Sequence, residues 1–254
     1  MSSLSPGTKI GPRKALFFEI VESGLDDRFE KEEISRIGRF CQSAKLEVPY
    51  PKPLGNMHDP CEEFVEGLTA KPWWDAGDFA WSEQLEAQSA QISAELKKVL
   101  AEQELFKGDS RFQKTMGEGW TALRLQRLGE WNKANVALFP ITTKIVQSLD
   151  IPLAVRGVMF AKQSPGSGVQ PHSDGRNFIL TAHLGLAVPK ECWISVAGER
   201  RPWAEDKLIV FDTSFTHETG NESEQDRYVL IIDFWHPELM PKEREALKFI
   251  YDCR

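Results

Sequence analysis

The sequence predicts a mainly β fold with flanking helices, closed or in two sheets, such as a jelly roll. From residue 154 onward, short apolar segments alternate with stretches rich in Gly, Pro, Ser and Asn, which is typical of many short strands. The chain also holds eight Trp and 15 Phe among its 254 residues, which suits a β-rich core with an aromatic pocket.

The elements follow from local patterns. The apolar segments predict strands at residues 121–126, 155–162, 177–186, 193–196, 208–212 and 228–235. Apolar residues at helical spacing predict the clearest helix at 81–105, and Pro140 suits the first turn of another. Residues 27–41 have helical spacing, 15–21 are a short strand or the start of a helix, and 241–251 form a terminal helix.

A proline-rich connector at residues 46–59 divides the chain. We expect residues 1–60 to form an N-terminal extension packed on a main domain of residues 61–254. His58, in the connector, is expected at the surface. The four cysteines are scattered without a CxxC pair, which fits neither a zinc ribbon nor a dense disulfide framework.

Composition excludes some partners. With 31 basic and 38 acidic residues the net charge is −7, which argues against a nucleic-acid or anionic-membrane surface. The N-terminus lacks the apolar core of a signal peptide, and no run of about 18 apolar residues suggests a membrane span. We therefore expect a cytoplasmic protein.

The chemistry-bearing stretch is PHSDG, read with a later His. His172 and Asp174 are two residues apart, and residues i and i+2 of a strand point to one face. His217 follows another apolar segment. Two His and one carboxylate form the metal site that suits non-haem Fe(II) oxygenases. Alternatively, Ser-Asp-Gly is an ordinary turn, and Asp174 holds only its own backbone.

Arg227 opens a strand, RYVLIIDFW, that is apolar on both faces and is therefore expected to be buried on both. A buried guanidinium requires an anion. The anion is either the carboxylate of a ligand or a protein side chain, namely Asp226, Glu224 or Asp233. His183 also lies in an apolar strand, where a lone His is usually a core residue.

Several ordered segments resemble the aspartyl/asparaginyl β-hydroxylase family of Fe(II)/2-oxoglutarate oxygenases. They are PHSDG, AHLGLAVPKECWI, WAEDKLIVFDTSFTHE and RYVLIIDFWHPEL, with LTAKPWWD and ALRLQRLGEWN upstream. The similarity covers roughly residues 67–247. It implies a double-stranded β-helix, a cupin-like jelly roll, for the main domain.

The resemblance also implies roles for individual residues. His172 and His217 match the two iron-binding His, with Asp174 as a possible third ligand. Arg227 matches the Arg that pairs with the distal carboxylate of 2-oxoglutarate, and His183 matches a His close to that cofactor.

Three positions depart from the family pattern. The best-known animal members have Gly where this chain has Asp174. Thr181, which we place among the cofactor-binding residues, stands where an Arg is common, so the near carboxylate would lack a charged partner there. Ala161 replaces a Ser that helps to bind the distal carboxylate.

The resemblance thus implies a dioxygenase that uses Fe(II), 2-oxoglutarate and dioxygen, with ascorbate as the reductant. It would oxidise a C–H bond of an aspartyl/asparaginyl-type, peptide or small-molecule substrate. Two other classes remain open: a metal-dependent jelly-roll enzyme that does not use 2-oxoglutarate, and a non-catalytic binding module.

Overall fold

A computed structural model describes residues 11–48, 50–106 and 117–254. The first ten residues of the predicted N-terminal extension and Pro49 of its connector lie outside these ranges. Within them, no helix is long and apolar enough to cross a membrane.

The described chain contains helices at both ends and strands mainly in its second half. The helices are α1 (Pro12–Asp26), α2 (Ser35–Leu46), α3 (Ser82–Glu86), α4 (Ser89–Glu102), α5 (Lys133–Leu138), α6 (Pro140–Gln147) and α7 (Pro241–Asp252). The strands are β1 (Trp73–Trp74), β2 (Trp120–Arg127), β3 (Glu130–Trp131), β4 (Leu153–Gln163), β5 (Ser167–His172), β6 (Ile179–Ala187), β7 (Cys192–Val196), β8 (Glu199–Pro202), β9 (Leu208–Asp212), β10 (His217–Asn221) and β11 (Arg227–Trp235).

The strands form two antiparallel sheets. The larger has the order β1-β9-β6-β11-β4-β2-β3, and the smaller has the order β5-β10-β7-β8. Consecutive strands such as β9, β10 and β11 alternate between the sheets, as in a jelly roll. The predicted jelly-roll fold class is therefore confirmed.

Strand β11 explains how the layers are held together. Its residues alternate between the two faces: Val229 and Ile231 pack between the sheets, whereas Leu230 and Ile232 pack against the helices outside. All four are less than 10% exposed. The predicted burial of both faces of this strand is thus correct, and the inner face of the large sheet is left to form the site.

Helices α1, α2 and α7 pack together in a separate apolar cluster. The Arg36 guanidinium of α2 binds the Glu243 carboxylate of α7, and that carboxylate also accepts from the Met240 N–H at the start of α7. From the segment after α2, Glu62 and Glu63 donate their N–H groups to the Gly175 carbonyl. The region preceding the sheets therefore contacts the loop that follows His172.

Of the two alternatives for residues 15–21, the helix is confirmed, because they lie in α1. Several other local predictions need correction. The predicted helix at 81–105 is interrupted between α3 and α4. Strands β5, β8 and β10 occupy stretches for which the sequence predicts turns, over all or part of their length. His58 is fully buried, with its ring centroid 4.0 Å from that of Phe215, and is not a surface residue.

Candidate metal centre

Two imidazoles meet because their strands pair. Strands β5 and β10 are antiparallel, and His172 lies directly opposite His217 with ring centroids 4.3 Å apart. Nδ1 of His172 lies 2.8 Å from the Gln170 carbonyl, and Nδ1 of His217 lies 2.9 Å from the Phe215 carbonyl. Since a carbonyl only accepts, each Nδ1 carries the proton and each Nε2 keeps a lone pair for a metal.

Asp174 joins them from beyond the end of β5. The same-face argument for His172 and Asp174 is therefore wrong in detail, because Asp174 lies in the loop after β5 and not in the strand. The Asp174 N–H donates to the Thr213 carbonyl at 2.9 Å. The turn is held by the Ser173 hydroxyl, which accepts from the Gly175 N–H at 3.0 Å. The Asp174 carboxylate is thus not used to hold its own backbone.

The three side chains converge. One ligand atom from each of His172, Asp174 and His217 lies within 4.8 Å of the others. Two imidazole nitrogens and one carboxylate oxygen are suitable ligands for a divalent transition metal, and they leave the remaining positions of an octahedral ion open.

Electrostatics favour the metal-binding forms. Burial lowers the pKa of His217 to about 4, so its imidazole is neutral at neutral pH. Burial alone would raise the pKa of Asp174, but the adjacent Arg156 guanidinium outweighs it and holds that pKa well below its usual range. A neutral imidazole and an ionised carboxylate are the forms that bind metals.

Arg156 was missed in the sequence analysis. Its Nη1 binds the Asp174 carboxylate. On the other side, its Nη2 donates to Asp233 Oδ1 at 3.0 Å, and its Nε lies 2.9 Å from Asp233 Oδ2. Nη2 also lies 3.1 Å from the Thr181 hydroxyl. A partly buried guanidinium therefore connects the metal-site loop to the large sheet.

A bulge explains how Arg156 reaches the site. In β4 the odd-numbered residues Met159 and Ala161 face the interior, so regular alternation would turn Arg156 outward. At Gly157 φ is +71°, and the registers of β4 with both neighbouring strands shift nearby. The bulge reverses the alternation and turns Arg156 inward. A glycine inside an apolar strand was the signal available in the sequence.

A cavity of about 260 Å³ opens beside the three candidate ligands. Thr181 and His183 lie on its wall, on the inner face of β6. The Thr181 hydroxyl donates to Asp233 Oδ1 at 2.6 Å. Burial holds the pKa of His183 well below its ordinary value, and its Nδ1 has no hydrogen-bond partner among the described residues.

Arg227 lies next to this cavity but does not line it. It is 1% exposed, and its Nη2 donates to the Gln163 side-chain oxygen, which also accepts from Thr219 on the cavity wall. The guanidinium lies 4.5 Å from the centroid of the Trp203 ring, and that ring stacks on His183. No described carboxylate pairs with Arg227, so the predicted alternative of a salt bridge within the protein does not apply there.

The fold and the site together define a jelly-roll protein with a His-Asp-His cluster between its sheets. A comparison with known families agrees, because residues 86–237 match the family described as Aspartyl/Asparaginyl beta-hydroxylase. The chain belongs to this family. The predicted resemblance is therefore confirmed.

Two relatives illustrate the breadth of the family. The mouse aspartyl/asparaginyl beta-hydroxylase is 33% identical over 73% of this chain, which spans about a quarter (26%) of that protein's length. The ornithine lipid ester-linked acyl 2-hydroxylase of Rhizobium tropici is 31% identical over 65% of this chain and 61% of its own. Both names describe hydroxylases. A solved prolyl hydroxylase from Trichoplax adhaerens superposes with a TM-score of 0.43 at 15% identity, covering 63% of this chain and 81% of that one.

Proposed function

We propose that the chain is an Fe(II)- and 2-oxoglutarate-dependent dioxygenase that hydroxylates, or otherwise oxidises, a C–H bond. The observation that carries this proposal is the convergence of the ligand atoms of His172, Asp174 and His217 beside a cavity. These three side chains would hold the iron. When bound, iron and 2-oxoglutarate supply the oxidising chemistry with dioxygen, and ascorbate is the expected reductant.

Arg227 would receive the distal carboxylate of 2-oxoglutarate. Burial lowers the pKa of Arg227 to about 10, and no carboxylate among the described residues pairs with it. Its partner, the Gln163 amide oxygen, is a neutral acceptor in a place where a carboxylate would bind more strongly. A small movement of Gln163 would connect Arg227 to the cavity wall.

His183 would orient the other end of the cofactor. Burial lowers its pKa, so the imidazole is neutral. Its Nδ1 has no hydrogen-bond partner among the described residues and could bond to a ligand in the cavity. Thr181 is near enough to line the same end, but its proton is donated to Asp233. Thr181 can therefore only accept a hydrogen bond or shape the wall, and the cofactor contact there falls mainly to His183.

The substrate is proposed to carry an acidic group. Arg124 and Arg176 line the cavity, and no carboxylate among the described residues lies within ion-pair distance of either. The Arg124 guanidinium binds the Arg156 carbonyl, and Arg176 Nε donates to the Asp174 carbonyl. Both side chains are thus positioned by backbone groups while they keep donors for a ligand.

The first experiment tests iron and 2-oxoglutarate. Purified protein is titrated anaerobically with both, and the visible charge-transfer band of the iron chelate is recorded. His172→Ala and His217→Ala should abolish the band and the formation of succinate. The matched control is Lys162→Met, which removes a 2.8 Å ion pair with Asp226 away from the cavity. If metal binds but 2-oxoglutarate neither binds nor is consumed, the chain is a metal-dependent jelly-roll protein of another kind.

Arg227→Met isolates the cofactor contact. Losing a bidentate charged pair should weaken 2-oxoglutarate binding by at least about 100-fold, on the basis of about 3 kcal/mol for the contact. Iron binding without 2-oxoglutarate should be unchanged, because Arg227 does not touch the ligand cluster. Equal 2-oxoglutarate affinity in the variant and the wild type would rule out this role.

The acidic-substrate proposal is tested with peptides. Succinate formation is measured with a peptide that has a central Asp and with the same peptide carrying Ala. Only the Asp peptide should stimulate turnover, and Arg124→Met or Arg176→Met should raise its KM. Equal stimulation by both peptides would exclude an acidic contact at these arginines.

A further inference from the structure

The Arg156 guanidinium lies between Asp174 and a second buried carboxylate, that of Asp233. We infer that Arg156 is a positioning residue that holds the Asp174 carboxylate as a metal ligand, so that the centre has three protein ligands and not two. This inference rests on the proposed metal centre, which already includes Asp174, and goes beyond it because it assigns a role to Arg156 and Asp233.

Two protein carboxylates hold Arg156, one on each side. Nη1 binds Asp174, and Nη2 donates to Asp233 at 3.0 Å. Nε lies 2.9 Å from Asp233 Oδ2 but makes no hydrogen bond to a described residue. Nη2 also lies 3.1 Å and 3.5 Å from the hydroxyls of Thr181 and Thr213. A guanidinium held between two protein carboxylates in this way has the environment of a support.

The anchor on the far side is rigid. Asp233 is 1% exposed and lies in the middle of the large sheet on β11, opposite Thr181 on β6. The Thr181 hydroxyl donates to Asp233 Oδ1, which leaves that carboxylate fixed on two sides. Because the Gly157 bulge turns Arg156 inward, the guanidinium spans from this fixed carboxylate to the loop.

Asp174 needs such a support because its backbone contacts do not orient its side chain. It lies outside the strand, where its N–H donates to the Thr213 carbonyl and its own carbonyl accepts from Arg176 Nε. Its carboxylate is held by the ion pair with Arg156. With Oδ2 held by Arg156, the second oxygen remains for the metal. Groups that orient a metal ligand typically contribute 10- to 100-fold to metal affinity.

Charge and orientation can be separated by a conservative variant, which makes the idea testable. If only the positive charge of Arg156 mattered, a Lys at this position would bind metal as the wild type does. If orientation dominates, removing Arg156 weakens binding, and a Lys that keeps the charge but lacks the fork also weakens it.

The experiment measures Co(II) affinity by calorimetry and by the visible absorption of bound cobalt, in the absence of 2-oxoglutarate. Arg156→Met should weaken binding about 10- to 100-fold, and Arg156→Lys about 5- to 10-fold. In an Asp174→Ala background, Arg156→Met should change affinity by less than about 3-fold, because its effect passes through Asp174. Lys162→Met, which removes another ion pair of β4, should bind as the wild type does.

Each outcome decides between alternatives. Unchanged or tighter cobalt binding in both Arg156 variants overturns the inference. The inference is also overturned if Arg156→Met weakens cobalt binding by the same factor in the Asp174→Ala background as in the wild type. The wild type and His172→Ala test the centre itself. If the wild type binds no cobalt, or if His172→Ala binds equally well, the proposed function fails and the inference fails with it. If Arg156→Met does not fold, as judged by circular dichroism, Arg156→Lys supplies the answer.

Discussion

Asp212 offers a quantitative test of the buried site region through stability and pH. It is the last residue of β9 and is 1% exposed. Its Oδ1 accepts from the Ser214 N–H at 2.8 Å, whereas Oδ2 has no hydrogen-bond partner among the described residues. Burial raises the pKa of Asp212 from 3.8 to about 7 because the charged form is poorly solvated.

The direction of the pH effect follows from proton binding. Between the unfolded pKa of 3.8 and the folded pKa of about 7, the native state keeps a proton that the unfolded chain has released. The stabilising contribution is thus complete below pH 3.8 and is lost as the pH rises through 7. The folded and unfolded pKa values differ by about three units, and each unit corresponds to about 1.4 kcal/mol, so the free energy of unfolding falls by on the order of 4 kcal/mol.

Asp212→Asn removes this dependence, because the amide stays neutral and its oxygen can still accept from Ser214. We expect the variant to gain stability over the wild type as the pH rises, by on the order of 4 kcal/mol between pH 4 and pH 8. Urea unfolding with EDTA present, followed by tryptophan fluorescence, measures both proteins at each pH. Other titrating groups cancel in the difference. A difference that does not change with pH would refute the assignment of a raised pKa.

Two further predictions concern the framework. Gly157→Ala should destabilise the fold by about 2 kcal/mol or more, since the added Cβ would clash with the Gln126 carbonyl oxygen at a φ of +71°. Thermal unfolding measures this, and an unchanged melting temperature would contradict the bulge. Arg36→Met should cost about 3 kcal/mol, because it leaves the buried Glu243 carboxylate without its cation. The control Lys242→Met breaks an exposed ion pair with Glu245 and should lower the free energy of unfolding by less than about 1 kcal/mol. Urea unfolding followed by tryptophan fluorescence measures both variants, and an equal loss in the two would contradict the buried ion pair.

The sequence predicted mainly apolar strands better than polar ones. Strands β4, β6 and β11 are nine to eleven residues long and mainly apolar, and their centres were located correctly. The short apolar strand β9 was also predicted with its observed bounds. Strands β5, β8 and β10 are four to six residues long and contain Gly, Pro, Asn or charged residues. Their pairing comes from neighbours in the small sheet, and local propensity gives no sign of it.

The predicted ligands were found from side-chain chemistry, whereas their supports depend on geometry. His172 and His217 stand out because imidazoles near acidic residues suggest metal binding. Arg156 could not be assigned by alternation, because one glycine at position 157 reverses which side chains face inward. The sequence offered Asp233 as a possible partner of Arg227, six residues earlier in the same strand. In the structure the bulge in β4 turns Arg156 inward, and Arg156 pairs with Asp233 instead.

The inner face of the large sheet suggests why both ends of the site are polar while its middle is apolar. On β11, Arg227 and Asp233 stand at opposite ends of this face, with Val229 and Ile231 between them. The Asp233 end supports the candidate metal ligands through Arg156, and the Arg227 end has no described carboxylate. A diacid with a short apolar chain would match this order of charges. The alternation of one strand thus places Arg227 and the support of the candidate metal ligands on the same face, which would set the direction in which the proposed cofactor lies.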